Sequence, residues 1–359
     1  MKAMKRHLQA LQRARPATYR DANEGLFLDR NERVVPHSRA TREKLSQALA
    51  NVALGLYPDL DPFYRKLADW LKISADRIYV TEGIAGAIKA LLETSTNPGD
   101  NVVCPTPTFA LYPVFSQMFQ LEHRTVGYSK NYQLDLRTLL DAIDDETAIV
   151  FLPNPNVPIA GTLGFDEVIE ISKRCGEHQA VLVVDEVYYL FGGPTAISLI
   201  DDYRNVFVMR SFSKAFGLAG IRVGYLIGNS DDIDYVSKTR GGYEASSVSI
   251  EIASFFIDNF HLIAEYIQHV KEGLAYLKCE LDGMKLEHNG GNDSNFLYVD
   301  FGDKQRCRRV VRELRMRNIY VRAGWPAPYS AGVSVSGAPK GIMEGFVVAL
   351  SDALAHGGL

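Results

Sequence analysis

Lys214 lies in the run Ser211-Phe212-Ser213-Lys214-Ala215-Phe216-Gly217-Leu218-Ala219-Gly220-Ile221-Arg222, directly after the apolar stretch Val206-Phe207-Val208-Met209. A lysine shielded from bulk water can lose its proton and condense with an aldehyde. The serine hydroxyls and the planar fork of Arg222 are phosphate donors. The run therefore fits a ligand that carries both an aldehyde and a phosphate.

A second run, Val181-Leu182-Val183-Val184-Asp185-Glu186-Val187-Tyr188, ends an apolar strand on an acid. A carboxylate there can hold a pyridine nitrogen in its protonated form, which lets the ring withdraw electrons. Tyr188 is placed to reach the ring oxygen. Aldehyde, phosphate and pyridine together describe pyridoxal 5′-phosphate (PLP), with Lys214 joined to it as a Schiff base. Taken alone, Asp185 would pass for a turn or cap residue at a strand end. A nucleotide hydrolase would also place an acid there, but it needs GxxxxGK[ST] upstream and the chain has none. In Thr81-Glu82-Gly83-Ile84-Ala85-Gly86 a glycine turn opens a helix, so the N–H groups of Ile84 and Ala85 are further phosphate donors. Pro105-Thr106-Pro107-Thr108-Phe109-Ala110-Leu111-Tyr112 offers Tyr112 as a ring to stack on the pyridine. Tyr57, in Leu56-Tyr57-Pro58-Asp59, reads as an exposed turn residue able to reach a neighbouring subunit's phosphate.

These side chains need a frame that brings strand ends together. From residue 77 onward, apolar runs at 77–80, 101–104, 148–152, 180–184, 205–209 and 223–227 alternate with helical patterns. That rhythm predicts an α/β fold with a mostly parallel sheet covered on both faces, whose ligand sits at the carboxyl ends of the strands. After Gly242 the pattern changes to one long helical stretch over 247–282, then short strands and two helices. The expected division is a large domain over 40–245 and a smaller α+β domain made of 1–39 and 246–359.

The chain has 359 residues, a formal net charge of −4 and 47% hydrophobic residues, which suits a globular enzyme and offers no basic field for nucleic acid. No apolar run approaches a membrane span. The basic start (Lys2, Lys5, Arg6, Arg13, Arg15) lacks an apolar targeting segment and reads as a frayed or partner-embracing arm. Four dispersed cysteines without a CxxC pair suit free thiols in a reducing, cytoplasmic setting. His261 and His269 would lie about 12 Å apart along a helix, too far to share an ion, so no metal is assigned.

Together the motifs resemble the fold type I PLP-dependent aminotransferases, and most closely the histidinol-phosphate aminotransferase group. The resemblance extends over nearly the whole chain. It rests on Leu28-Asp29-Arg30-Asn31-Glu32, Tyr57-Pro58-Asp59, Gly83, Pro107-Thr108-Phe109 with Tyr112, Asn154-Pro155-Asn156 with Gly161, Asp185 with Tyr188, the Lys214 run with Arg222, Asn295-Phe296 and Val321-Arg322. It implies a homodimer with shared active sites that acts on small amine and keto substrates. It also implies Lys214, Asp185 and Tyr188 as catalytic residues. Ile84, Ala85, Tyr112, Asn156, Ser211, Ser213, Arg222 and Tyr57 would bind the cofactor; Arg322, Tyr57 and Asn31 would bind substrate.

Two departures bear on substrate. Val157 stands where the family has an asparagine that donates to the ring oxygen, leaving Tyr188 as that oxygen's main partner unless Asn156 shifts. In the last strand, Ala331-Gly332-Val333-Ser334-Val335-Ser336, Gly332 is aligned with the arginine that clamps the substrate carboxylate. Glycine cannot replace that clamp. The expected substrate is thus an amine that is phosphorylated or lacks an α-carboxylate. A decarboxylase of a phosphorylated amino acid and a catalytically impaired binding protein are the other readings.

Overall fold

The computed structural model describes residues 5–9, 11 and 24–355, so Lys2, Arg13 and Arg15 of the basic start lie outside the described residues. Twelve strands are described: β1 (Leu26–Leu28), β2 (Ile78–Thr81), β3 (Asn101–Thr106), β4 (Glu122–Gly127), β5 (Thr147–Pro153), β6 (Val181–Asp185), β7 (Val206–Ser211), β8 (Gly224–Ile227), β9 (Glu287–Gly290), β10 (Phe296–Asp300), β11 (Ile319–Val321) and β12 (Gly332–Ser336).

The main sheet has seven strands in the order β2-β8-β7-β6-β5-β3-β4. The five from β7 to β4 run parallel, and β8 is antiparallel to both β7 and β2. Side chains alternate between faces: Val150, Leu152 and Val184 pack into one apolar layer, Ile149, Phe151 and Val183 into the other. Burial on both sides is why these strands are nearly all apolar, each such side chain contributing roughly 1.5–3 kcal/mol. The edge strand β4 (Glu-His-Arg-Thr-Val-Gly) is mostly polar and half-exposed, so periodicity did not announce it.

The second part of the fold holds the antiparallel sheet β12-β10-β9 and the parallel pair β1-β11. The long helical stretch expected over 247–282 is two helices, Ser247–Asp258 and Phe260–Gly283. They meet at 77°. Asn259 is the hinge; its side-chain amide donates to the Phe255 carbonyl at 2.8 Å, closing the first helix. Among the described residues no single helix is long and apolar enough to cross a membrane. Cys104, Cys175 and Cys307 are buried free thiols, and Cys279 is exposed.

The pair β1-β11 matters for the site. Leu28 aligns with Val321 in parallel register, so the chain segments that follow, Asp29–Glu32 and Arg322, leave the pair at the same end. Arg322 also bridges to Ser334 of β12 through both main-chain groups, at 3.0 and 2.8 Å.

Candidate active site

The carboxyl ends of β2, β3, β5, β6 and β7 open into a cavity of about 410 Å³, closed on the far side by Asp29–Glu32, Arg322, Trp325 and Ser334. Lys214, Asp185, Tyr188, Asn156, Ile84, Ala85, Ser211, Ser213, Arg222, Arg322 and Asn31 all line it. Lys214 Nζ donates to the Arg30 carbonyl at 2.6 Å, which holds the amine against the wall.

Asp185 is buried at the end of β6. Its Oδ2 accepts from the Tyr112 hydroxyl at 2.7 Å and its Oδ1 from the Val187 N–H at 3.2 Å. Burial pushes its carboxyl up to about 6, against the lowering effect of those two bonds. The next residue, Glu186, is held by a buried guanidinium: Arg210 donates to its Oε2 from Nε at 3.0 Å and Nη2 at 2.8 Å. This brace ties β6 to β7 just where Asp185 and the Lys214 loop emerge. Sequence reasoning missed it, although an acid and an arginine at neighbouring strand ends were visible.

Tyr112 does not stack in the cavity. It is buried beside Phe151, and its hydroxyl is committed to Asp185. It lies in the first turn of the helix Leu111–Phe119, whereas Phe109, just before that helix, lines the cavity. Phe109 is therefore the aromatic wall that the sequence reading overlooked. A Phe109→Ala variant is expected to weaken PLP binding about 2- to 10-fold, from loss of a ring contact worth about 0.5–1.5 kcal/mol. Equilibrium titration of the visible absorption would measure this, and unchanged affinity would return the stacking role to another ring.

Tyr188 is buried, which raises its hydroxyl well above the ordinary phenol range and keeps it protonated. It accepts from the Asn31 amide at 2.9 Å, so its own proton is available to an acceptor in the cavity. Asn31 is in turn fixed by Ser336, whose hydroxyl meets both its N–H (2.7 Å) and its Oδ1 (3.1 Å). Asn31 was expected to bind substrate; its amide instead orients Tyr188. Asn156 does not shift to replace the donor lost at Val157. Its amide donates to the Pro107 carbonyl at 2.8 Å, and its oxygen accepts from Thr108 at 2.7 Å.

The phosphate end is built around a close approach. Gly83 has φ +66°, and a Cβ there would lie 2.6 Å from Arg222 Nη2. Arg222 itself is held by the carbonyls of Glu82 (3.1 Å) and Ala219 (3.3 Å), beside the first turn of the helix Gly83–Ser95. Ser213 N–H donates to Ser211 Oγ at 3.0 Å, folding the two hydroxyls toward the same point. Tyr57 stands apart: it is 80% exposed and stacks on Tyr243 at 4.5 Å, outside the cavity wall.

Gly332 does not line the cavity. A Cβ there would lie 2.3 Å from the Tyr298 ring, so no larger residue fits. The residue of β12 that lines the cavity is Ser334. The position at which β12 presents a side chain to the cavity is thus two residues beyond the one expected, and it carries a serine.

The family model for aminotransferases of class I and II matches residues 21–335. The chain belongs to that family. This aminotransferase is 30% identical over 313 residues to the histidinol-phosphate aminotransferase of Ruminiclostridium cellulolyticum, covering 84% of each chain. It is 26% identical over 300 residues to that of Caldanaerobacter subterraneus, covering 82% of this chain and 83% of the other. The crystal structure of histidinol-phosphate aminotransferase from Sinorhizobium meliloti in complex with pyridoxal-5′-phosphate superposes with a TM-score of 0.89 at 22% identity, covering 99% and 98% of the two chains. These are aminotransferases, so neither the decarboxylase nor the impaired binding protein is favoured.

PLP is the cofactor of this aminotransferase, and the residues present fit it. The cradle formed by Gly83, Arg222, Ser211 and Ser213 suits a phosphate. A buried carboxylate with a raised pKa suits a ring nitrogen whose positive charge would stabilise it. The Lys214 amine, held at 2.6 Å from a carbonyl, suits the aldehyde.

Proposed function

We propose that this enzyme exchanges the amino group and the carbonyl oxygen between an amino acid/keto acid pair and a small amine/carbonyl pair that bears an anionic group away from the reacting carbon, as the names of its histidinol-phosphate aminotransferase relatives suggest. The observation that carries the reading is the wall opposite Lys214. It presents Arg322, with its guanidinium 5.6 Å from the Trp325 ring centre, beside Ser334 on the strand where an arginine was expected. The Trp325 indole donates to the Arg322 carbonyl at 3.1 Å and so fixes the turn at the cavity rim. A rim guanidinium suits the distal phosphate of such an amine.

When bound, PLP supplies an electron-withdrawing ring that stabilises negative charge at the substrate's Cα. Lys214 Nζ would take the Cα proton as base and, once protonated, would be the acid that gives it back. Asp185 holds the ring nitrogen protonated, and Tyr112 and Val187 keep that carboxylate in place. Tyr188, aligned by Asn31, donates to the ring oxygen. Phe109 covers one side of the cavity.

The expected homodimer, with Tyr57 reaching the partner's phosphate site, is supported by that ring's exposure together with Leu54 and Leu56. A cytoplasmic location and the division at 40–245 belong to the same reading. The test is to mix the yellow protein with single amines and follow the visible band. Phosphorylated amines should bleach it and yield a carbonyl product. Gas release with the band retained would contradict amino transfer.

A further inference from the structure

We propose that Arg30 holds the α-carboxylate of the amino-acid substrate, taking over the task for which β12 supplies only Ser334. The inference rests on the reading of this cavity as the substrate site.

The amino-acid partner of the reaction brings a carboxylate one bond from the carbon that loses its proton. That carboxylate must sit within a few ångströms of the Lys214 amine. Arg30 is the arginine whose main chain is already there, since its carbonyl accepts from Lys214 Nζ at 2.6 Å. Its side chain lines the cavity and is 33% exposed. Its Nε is buried with no hydrogen-bond partner, and the nearest carboxylate oxygen, from Asp29, lies 3.9 Å from it. Nε has no exposed surface and is not the atom a ligand would meet; the exposed third of the side chain is, and its long ion pair to Asp29 leaves it able to take a ligand carboxylate.

The other cations of the cavity have different work. Arg222 is fixed at the phosphate cradle by two carbonyls. Arg322 is exposed and sits over Trp325 at the rim. The β1-β11 register delivers Arg30 and Arg322 to the same end of the pair, next to Ser334. The inner arginine thus meets the group near the reacting carbon and the outer one meets the distal group. Relocating the clamp from β12 to the turn after β1 reconciles the absent arginine with an amino donor that carries a carboxylate.

The test compares Arg30→Gln and Arg30→Lys with the unaltered holoenzyme in two measurements. Calorimetric titration with succinate, which cannot react, reads carboxylate binding directly. Single-turnover bleaching by glutamate or alanine, and separately by an amino-alcohol phosphate, reads each half-reaction. A hydrogen bond to a charged group is worth about 1.5–3 kcal/mol, so Arg30→Gln should weaken succinate and raise the half-saturating amino-acid concentration about 10–100-fold. The lysine variant should recover part of this loss. The amino-alcohol phosphate should respond within about twofold in all three proteins. Equal losses for both substrate classes, or undiminished succinate binding in Arg30→Gln, would overturn the assignment. Failure of the unaltered enzyme to react with any amine would instead overturn the underlying reading of the site.

Discussion

Replacing Lys214 with alanine is expected to lower amino transfer by about 10³-fold or more, while the protein still folds and binds PLP. Proton transfer by a positioned side chain is worth about 10²–10⁴-fold, and this lysine both removes and returns the proton. Alanine removes the hydrogen bond to the Arg30 carbonyl. That is about 1 kcal/mol of stability, so the melting temperature should change little. Single-turnover rates with a reactive amine check the first statement and thermal unfolding the second. Turnover within tenfold of the unaltered protein would mean that another group moves the proton.

Asp185→Asn separates function from stability. The amide cannot hold a positive ring nitrogen, so turnover should fall about 10²–10³-fold, as when one preorganised electrostatic group is lost. Stability should behave oppositely. In the protein stripped of PLP, burial raises the Asp185 carboxyl from its ordinary 3.8 to about 6. The folded state then binds more protons than the unfolded state across this window, so this group's contribution is present below the unfolded pKa and lost as pH rises through about 6. Stripped Asp185→Asn should lack that pH-dependent loss. Adding PLP should stabilise the unaltered protein more than the variant at pH 7.5. Unfolding curves of both proteins at pH 4.5 and 7.5, with and without PLP, give the comparison; a variant with the parent's pH dependence would place the titrating group elsewhere.

Much of this site was legible in the chain because its chemistry sits at the ends of strands buried on both faces. Residues 181–184 and 206–209 are continuous apolar runs, so the acid and the lysine loop that follow them had to emerge at the same edge of a parallel sheet. What escaped depended on angles that periodicity does not carry. Phe109 and Tyr112 are three residues apart, and the start of a helix between them sends one ring to the cavity and the other beneath Asp185. Gly332 and Ser334 lie on the same face of β12, and Tyr298, paired with Ser334, lays its ring over Gly332. The break at Asn259 interrupts an apolar pattern without a glycine or proline to mark it. Arg30 is one residue of the motif 28–32 in the sequence, and only the parallel register of β1 with β11 shows that it reaches the cavity wall beside Arg322.

Borohydride reduction of the PLP-loaded protein, followed by digestion and peptide mapping, tests the whole account most directly. A pyridoxyl group fixed on Lys214, within the peptide that runs to Arg222, is the predicted result. The label on a different lysine, or no label on a protein that is yellow before reduction, would contradict it.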